Sequence, residues 1–320
     1  MRQVSIPPGL LRDIRVSDFL KNILGSKGET ESGGSSDQGT SDLPTQPNSS
    51  PVNSDSNPNS SNNPTRFNVG LVNSIGLQRE HNEDALFAMT TYLISNNSSL
   101  PFGLYIIADG MGGHLHGEKA SEVAIHAMAF GVLTKLLPAI QDLSGEIPSD
   151  TFQDIMKEGV QAAHQVIIEQ APGGGSTLTG ILLLRDQMTI AHIGDSRAYA
   201  IDTQGNVNLL TTDHSLVKRL EELGQITSDE AAIHPQRNVL YRALGQAEMV
   251  DADLISAPVP NSGYLVLCSD GLWGVVPDDE MANIISSANS PQEASQTLLE
   301  AANSAGGPDN ISVIIIEKSS

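Results

Sequence analysis

The amino-acid sequence predicts an α+β layered sandwich. Short apolar strands are joined by gaps too short for a crossover, so neighbours must pair antiparallel. Stretches with apolar residues at helical spacing are long enough to cover a sheet. Apolar residues make up 39% of the 320, and the 29 glycines bring the composition close to that of ordinary globular domains, so a sizeable core can form.

Two regions are expected, a leader over 1–64 and a folded domain over 65–320. Leu10, Leu11, Ile14, Phe19, Leu20, Ile23 and Leu24 fall on one stripe of a short amphipathic helix over 10–24, either a docking element or a transient helix, since so short a helix is marginal alone in water. Between 29 and 64 the chain is nearly all Ser, Asn, Pro, Gly, Asp, Gln and Thr, with Leu43 and Val52 its large apolar residues. Nothing there repays ordering entropy, which predicts a disordered tether. The domain should carry strands over 68–73, 85–91, 103–108, 177–184, 188–193, 198–202, 264–268 and 311–316. Arg185, Asp186 and Gln187 separate one adjacent pair and residues 194–197 the next, so both pairs are read as antiparallel. Helices follow from Ala120, Val123, Ala124, Ala127, Met128 and Val132, and from Ile155, Ala162, Ala163, Val166 and Ile167. Ser290, Pro291 and Glu293 form a capping box with proline at the first position of a last helix. Asp213 is read as the cap of a helix over 216–223 that Gly224 ends.

A net charge of −21 excludes a nucleic acid held by bulk attraction. Cys268 is the single cysteine, which rules out an intrachain disulfide and fits a reducing compartment. Arg12, Asp13 and Arg15 interrupt any signal-peptide core and no unbroken apolar run reaches membrane-span length, so a cytoplasmic protein without a membrane span is expected.

Three aspartates carry the chemistry. Asp109 ends an apolar strand and precedes Gly110-Met111-Gly112-Gly113; Asp270 ends another and precedes Gly271; Asp309 follows Gly306-Gly307-Pro308 and leads into the last strand. Glycine after a carboxylate lets the backbone turn and its carbonyl approach a ligand. Each alone reads as a turn, but three such carboxylates held together need a hard divalent cation. Arg79, ahead of Glu80-His81-Asn82-Glu83-Asp84, adds a planar fork suited to a phosphate dianion.

With Arg79-x-x-Asn82-Glu83-Asp84, Ala108-Asp109-Gly110-Met111-Gly112-Gly113-His114, Gly117-Glu118, Gly175-Ser176-Thr177, Gly194-Asp195-Ser196-Arg197, His234-Pro235, Arg242-Ala243-Leu244-Gly245, Ser269-Asp270-Gly271-Leu272-Trp273 and Gly307-Pro308-Asp309-Asn310 in this order, the chain resembles the metal-dependent protein phosphatases, the type 2C Ser/Thr family in its bacterial form. The resemblance implies a four-layer αββα sandwich with a binuclear Mg2+ or Mn2+ centre at a sheet edge. It implies that Asp109 bridges both ions, Gly110 offers its carbonyl, Asp270 and Asp309 complete one ion's ligands, and Glu83 and Asp84 serve the other directly or through water. Arg79 would hold the substrate phosphate. Asp195 resembles the ligand of a weaker third metal, with a hairpin-turn aspartate paired to Arg197 as the alternative. The implied reaction is attack on phosphoserine or phosphothreonine by a water that two cations about 4 Å apart acidify, without a covalent phosphoenzyme.

Two departures stand out. Met111 occupies the place of a histidine that eukaryotic relatives use as general acid, which leaves His114 as the nearest candidate, with His116 or a metal-bound water as substitutes. Gly274 replaces an aspartate that many relatives have near the third metal. The segment 211–238 resembles a mobile flap that helps choose substrates, or is a plain helical hairpin. Substrates of bacterial Ser/Thr kinases are the implied partners, met by a monomer. A cysteine-based phosphatase is excluded because Gly274 stands where that chemistry needs an arginine. A non-catalytic sensor or scaffold of the same fold and a partner-switching phosphatase are the remaining alternatives.

Overall fold

The computed structural model describes residues 66–95, 98–112, 115–140, 149–246 and 248–319. The expected leader helix, the tether and His114 lie outside the described residues. The strands are β1 (Arg66–Ser74), β2 (Asp84–Ser95), β3 (Ser98–Met111), β4 (Gly175–Ser176), β5 (Leu178–Leu184), β6 (Gln187–Ile193), β7 (Arg197–Ile201), β8 (Val207–Leu209), β9 (Asp253–Pro258), β10 (Tyr264–Cys268) and β11 (Ile311–Ser319). The helices are α1 (Leu115–Ala139), α2 (Ser149–Gln170), α3 (Leu216–Glu222), α4 (Ser228–Ala232), α5 (Asp270–Trp273), α6 (Asp278–Ser287) and α7 (Pro291–Ser304).

One sheet runs β1-β11-β10-β7-β8 and the other β2-β3-β5-β6-β9, with β4 paired to β3, and every pairing is antiparallel. Side chains alternate across a strand, and that alternation builds the layers. On β3, Tyr105 and Ile107 face the other sheet, where Leu265 and Leu267 of β10 and Ile314 and Ile316 of β11 meet them. Leu104, Ile106 and Ala108 face the opposite way onto Ala124, Met128 and Val132 of α1 and Met156, Val160 and Ala163 of α2. Val266, Cys268, Val313 and Ile315 pack beneath Leu272, Met281, Ile285, Ala294 and Leu298 of α5 to α7. The result is the four-layer αββα sandwich. Strands covered on both faces read as unbroken apolar runs, which is why they are legible in the sequence.

Several expectations change. Arg185 and Asp186 do turn one hairpin, with Arg185 at a φ of 56°. The second short gap is no hairpin: β6 belongs to one sheet and β7 to the other, so Gly194 to Ser196 cross between sheets. Ser215 rather than Asp213 caps α3, its hydroxyl accepting from Lys218 N–H at 3.3 Å, because Asp213 is engaged by Arg197. Ser290 caps α7 as expected, but the Glu293 carboxylate reaches back to Asn289 N–H, one residue past the Ser290 N–H that would complete the box. Within α1, His116–Ala139 is long and apolar enough to cross a membrane by composition, and half of that stretch is buried against the sheet and α2. The search for an unbroken apolar run overlooks it because scattered polar residues interrupt a helix that is apolar on most sides.

Candidate active site

Residues from both sheets converge on one open cleft of about 560 Å³. Arg79 and Glu83 come from the β1–β2 connection, Asp109 and Gly110 from the end of β3, Asp195 from the sheet-to-sheet crossing, Asp270 from the start of α5 and Asp309 from the loop before β11. Asp84 lies behind them, 7% exposed, at the β2 position directly opposite Asp109. Like charges facing across a sheet are unfavourable, and here the fold enforces the pair.

The backbone beneath the acids is held from every side. Asp109 N–H donates to the Thr177 hydroxyl at 2.9 Å, and Thr177 meets the Ser196 hydroxyl at 2.7 Å. Ser269 donates to Asp84 Oδ2 at 2.7 Å and accepts from Ser312 N–H at 3.0 Å. Asn310 spans the cleft's far side: its Nδ2 donates to Ile75 O at 3.0 Å and His81 O at 2.9 Å, and its Oδ1 accepts from Glu83 N–H at 2.8 Å. One buried amide thus sets the loop that carries both Arg79 and Glu83.

The glycines that follow Asp109 and Asp270 serve close approach, not reversed backbone torsion. A Cβ on Gly110 would collide with Gly117 O, one on Gly271 with Asn310 O, and one on Gly117 with the Glu83 carboxylate. Neither Gly110 nor Gly271 has a positive φ.

Burial and crowding hold these acids toward their protonated form. Burial first, then the charges of Asp84, Asp270, Asp195 and Asp309, raises Asp109 well above the usual carboxylate range. Burial, reinforced by Asp270 and Asp309 and opposed by the Ser269 and Ser312 hydrogen bonds, pushes Asp84 up to about 7. Asp195 rises to about 8 through burial, then Asp270 and Asp213. Asp270 rises to about 6 through burial and Asp309, with Arg79 pulling the other way.

The donor set fits a hard divalent cation. Asp84 Oδ1 and Asp270 Oδ1 are buried without a hydrogen-bond partner, and the remaining donors are carboxylate and carbonyl oxygens, as Mg2+ and Mn2+ prefer. Among the described residues no three acidic or histidine side chains close on one point as they stand. Arg79 Nη2 lies 2.5 Å from Asp309 Oδ2, so its guanidinium is docked on a carboxylate of the same cleft.

A sequence profile of the protein phosphatase 2C family matches residues 70–311. The chain belongs to that family. The serine/threonine phosphatase stp of Listeria monocytogenes is 37% identical over 245 residues, 76% of this chain and 92% of that protein. The solved Streptococcus agalactiae serine/threonine phosphatase superposes with a TM-score of 0.65 at 31% identity, covering 78% of this chain and 99% of its own. The catalytic domain of the phosphatase PstP, solved in complex with two manganese ions, superposes at 0.64 with 29% identity, covering 80% of this chain and 100% of its own. This phosphatase 2C chain therefore shares its fold and its reaction class, dephosphorylation of protein serine and threonine, with these relatives.

Measured against the sequence-based site, the fold of this phosphatase 2C brings seven of the nine chosen residues into the cleft and sets Asp84 just behind it. The alternative in which Asp195 pairs with Arg197 is not what the structure holds, because Arg197 binds Asp213. His116 is exposed on the first turn of α1. Asn310, Thr177 and Ser269 were part of motifs without a role; their signal was adjacency to the acids in polar strings that otherwise sit in apolar surroundings.

Proposed function

We propose that residues 65–320 form the catalytic domain of a serine/threonine protein phosphatase acting at a two-cation Mg2+ or Mn2+ centre in the cytoplasm, on proteins phosphorylated by Ser/Thr kinases, as a monomer. Asp109 would be shared between the two cations and Gly110 would offer its carbonyl; Asp270 and Asp309 would complete one cation's ligands, Glu83 and Asp84 would serve the other directly or through water, and Asp195 a weaker third. When bound, such cations supply an acidified water for in-line attack and offset charge on the phosphoryl oxygens.

The chain's own groups do the rest. Arg79 is positioned to exchange the Asp309 carboxylate for phosphate oxygens, because both present the two-oxygen edge that a guanidinium fork matches. Asn310 fixes the loop from which Arg79 and Glu83 project. The Met111 thioether cannot donate a proton to the leaving alkoxide; His114 is the nearest candidate in the sequence, with His116 or a metal-bound water as substitutes.

The observation that carries this reading is the pair of buried, unpartnered carboxyl oxygens on Asp84 and Asp270 among acids raised by burial and, after it, by mutual repulsion. Phosphate release from a phosphothreonine peptide, measured with Mn2+ or Mg2+ and then EDTA, tests it. Metal-dependent turnover that disappears in Asp109→Ala and Asp270→Ala is expected. A folded protein that turns over nothing with any divalent metal would transfer the reading to a non-catalytic scaffold of this fold.

A further inference from the structure

Beside the carboxylates a second cleft of about 890 Å³ runs between the active-site floor and the segment 211–240. That segment forms a whole wall of it, yet almost nothing apolar holds the wall down. Val217 is the buried residue of α3, and α4 has none. Attachment is polar and sits at the two roots. His214 N–H donates to Gly194 O at 2.7 Å on the incoming side, and Leu244 N–H to Ser176 O at 2.8 Å on the outgoing side. The roots are joined by Leu216 N–H to Val239 O at 2.7 Å and Tyr241 N–H to His214 O at 2.9 Å.

The side chain that ties this wall to the carboxylate floor is Arg197, at the start of β7. Its Nε and Nη2 grip the two Asp213 oxygens at 3.0 and 2.7 Å, and its Nη1 donates to the Tyr199 hydroxyl at 3.2 Å. The guanidinium lies 3.6 Å over the Trp273 ring, and the Trp273 indole N–H donates to Asp195 O at 3.0 Å. Asp213 is 6% exposed at the incoming root of the wall, while Asp195 and Trp273 belong to the floor. One planar cation therefore joins three stretches of chain, its own strand, the root at Asp213 and α5 at Trp273. Its fork is filled and one face is covered, so it is not a second phosphate clamp.

We propose that Arg197 is a specificity-determining positioning residue: it fixes the 211–240 wall against the carboxylate floor, and so sets how well an extended phosphoprotein segment fits the cleft between them. The proposal rests on the phosphatase reading above. A small aryl phosphate needs the floor alone, whereas a peptide must also lie along the wall, so the two substrates separate this role from a catalytic one.

The test uses full-length protein and two variants, Arg197→Lys, which keeps the charge but loses fork and stacking, and Asp213→Asn. Steady-state kinetics on a phosphothreonine peptide and on p-nitrophenyl phosphate are compared in Mn2+. Tryptic cleavage after Lys218, Arg219 and Arg237 is timed in EDTA. Each variant is expected to raise the peptide KM by about ten-fold while kcat/KM for the aryl phosphate stays within about two-fold, as for loss of one coupled pair. Cleavage within the wall should quicken by a similar factor of about ten, and the double variant should be no worse than either single one. Equal losses on both substrates, or unchanged cleavage at the three sites, would overturn the proposal. Wild-type protein inert on both substrates would sink the phosphatase reading instead, and the proteolysis would still decide whether Arg197 holds the wall.

Discussion

The floor and the wall of the cleft are built on opposite terms. On the floor Asp84 and Asp195 are buried, Asp109 and Asp270 are half-buried, and all four are held above their ordinary protonation range, while hydrogen bonds with Thr177, Ser269 and Asn310 keep the acids and their backbone from relaxing away. The wall is the reverse: its two short helices bury little and rely on caps, Ser215 for α3 and a reciprocal Thr227–Glu230 box for α4. Repulsion can be stored only where the chain cannot yield. A surface that must accommodate different protein segments is better made from elements of low local stability.

Four measurements would break or sharpen this contrast. The largest effect belongs to the floor's centre: Asp109→Asn should cut kcat by about a thousand-fold, as expected when metal-assisted attack is lost, while circular dichroism shows an intact fold. Next is stability. Asp195 has its folded pKa raised from 3.8 to about 8, so the folded state binds more protons than the unfolded one between those values and loses stability as pH rises through them. In EDTA, Asp195→Asn should therefore be clearly more stable than wild type at pH 8, with the gap closing toward pH 4, as read from urea midpoints. Equal midpoints at pH 8 would show that the floor stores no such repulsion. Third, Asn310→Ala removes three hydrogen bonds and loosens the Arg79 loop; kcat should fall by roughly 30-fold, about 2 kcal/mol, with retained metal-dependent turnover. The smallest belongs to the wall. Ser215→Ala should cost about 1 kcal/mol, visible as faster amide exchange in Leu216–Glu222 with little change in the global unfolding midpoint.

The same contrast governs what the sequence reveals. Floor residues are legible because the acids stand at the ends or starts of apolar strands, and Asp109, Asp195, Asp270 and Asp309 carry glycine or asparagine beside them, a local pattern with a local cause. The strands of the core are legible because burial on both faces makes them continuous runs. β9 escapes notice: it is an edge strand of mixed exposure, and Asp-Leu-Ile-Ser-Ala-Pro offers neither a run nor a clean alternation. The Gly194 to Ser196 crossing looks like a hairpin turn because pairing partners are a tertiary matter and a short gap does not record them. Asp213 has the residue type and place of a helix cap, and only the guanidinium brought by β7 decides that it is an ion-pair partner and leaves the cap to Ser215.

Trp273 is the one tryptophan in 320 residues, and it sits where floor meets wall, under a guanidinium and bonded to the Asp195 carbonyl. Excited to the red of its five tyrosines, the unlabelled protein therefore emits from a single, known point. Indole fluorescence responds to a stacked cation and to the polarity around its N–H, so cations or peptides entering the cleft should change its intensity or colour without any added dye. The chain carries its own optical gauge of the cleft, and stopped-flow mixing could follow occupancy before any phosphate is released.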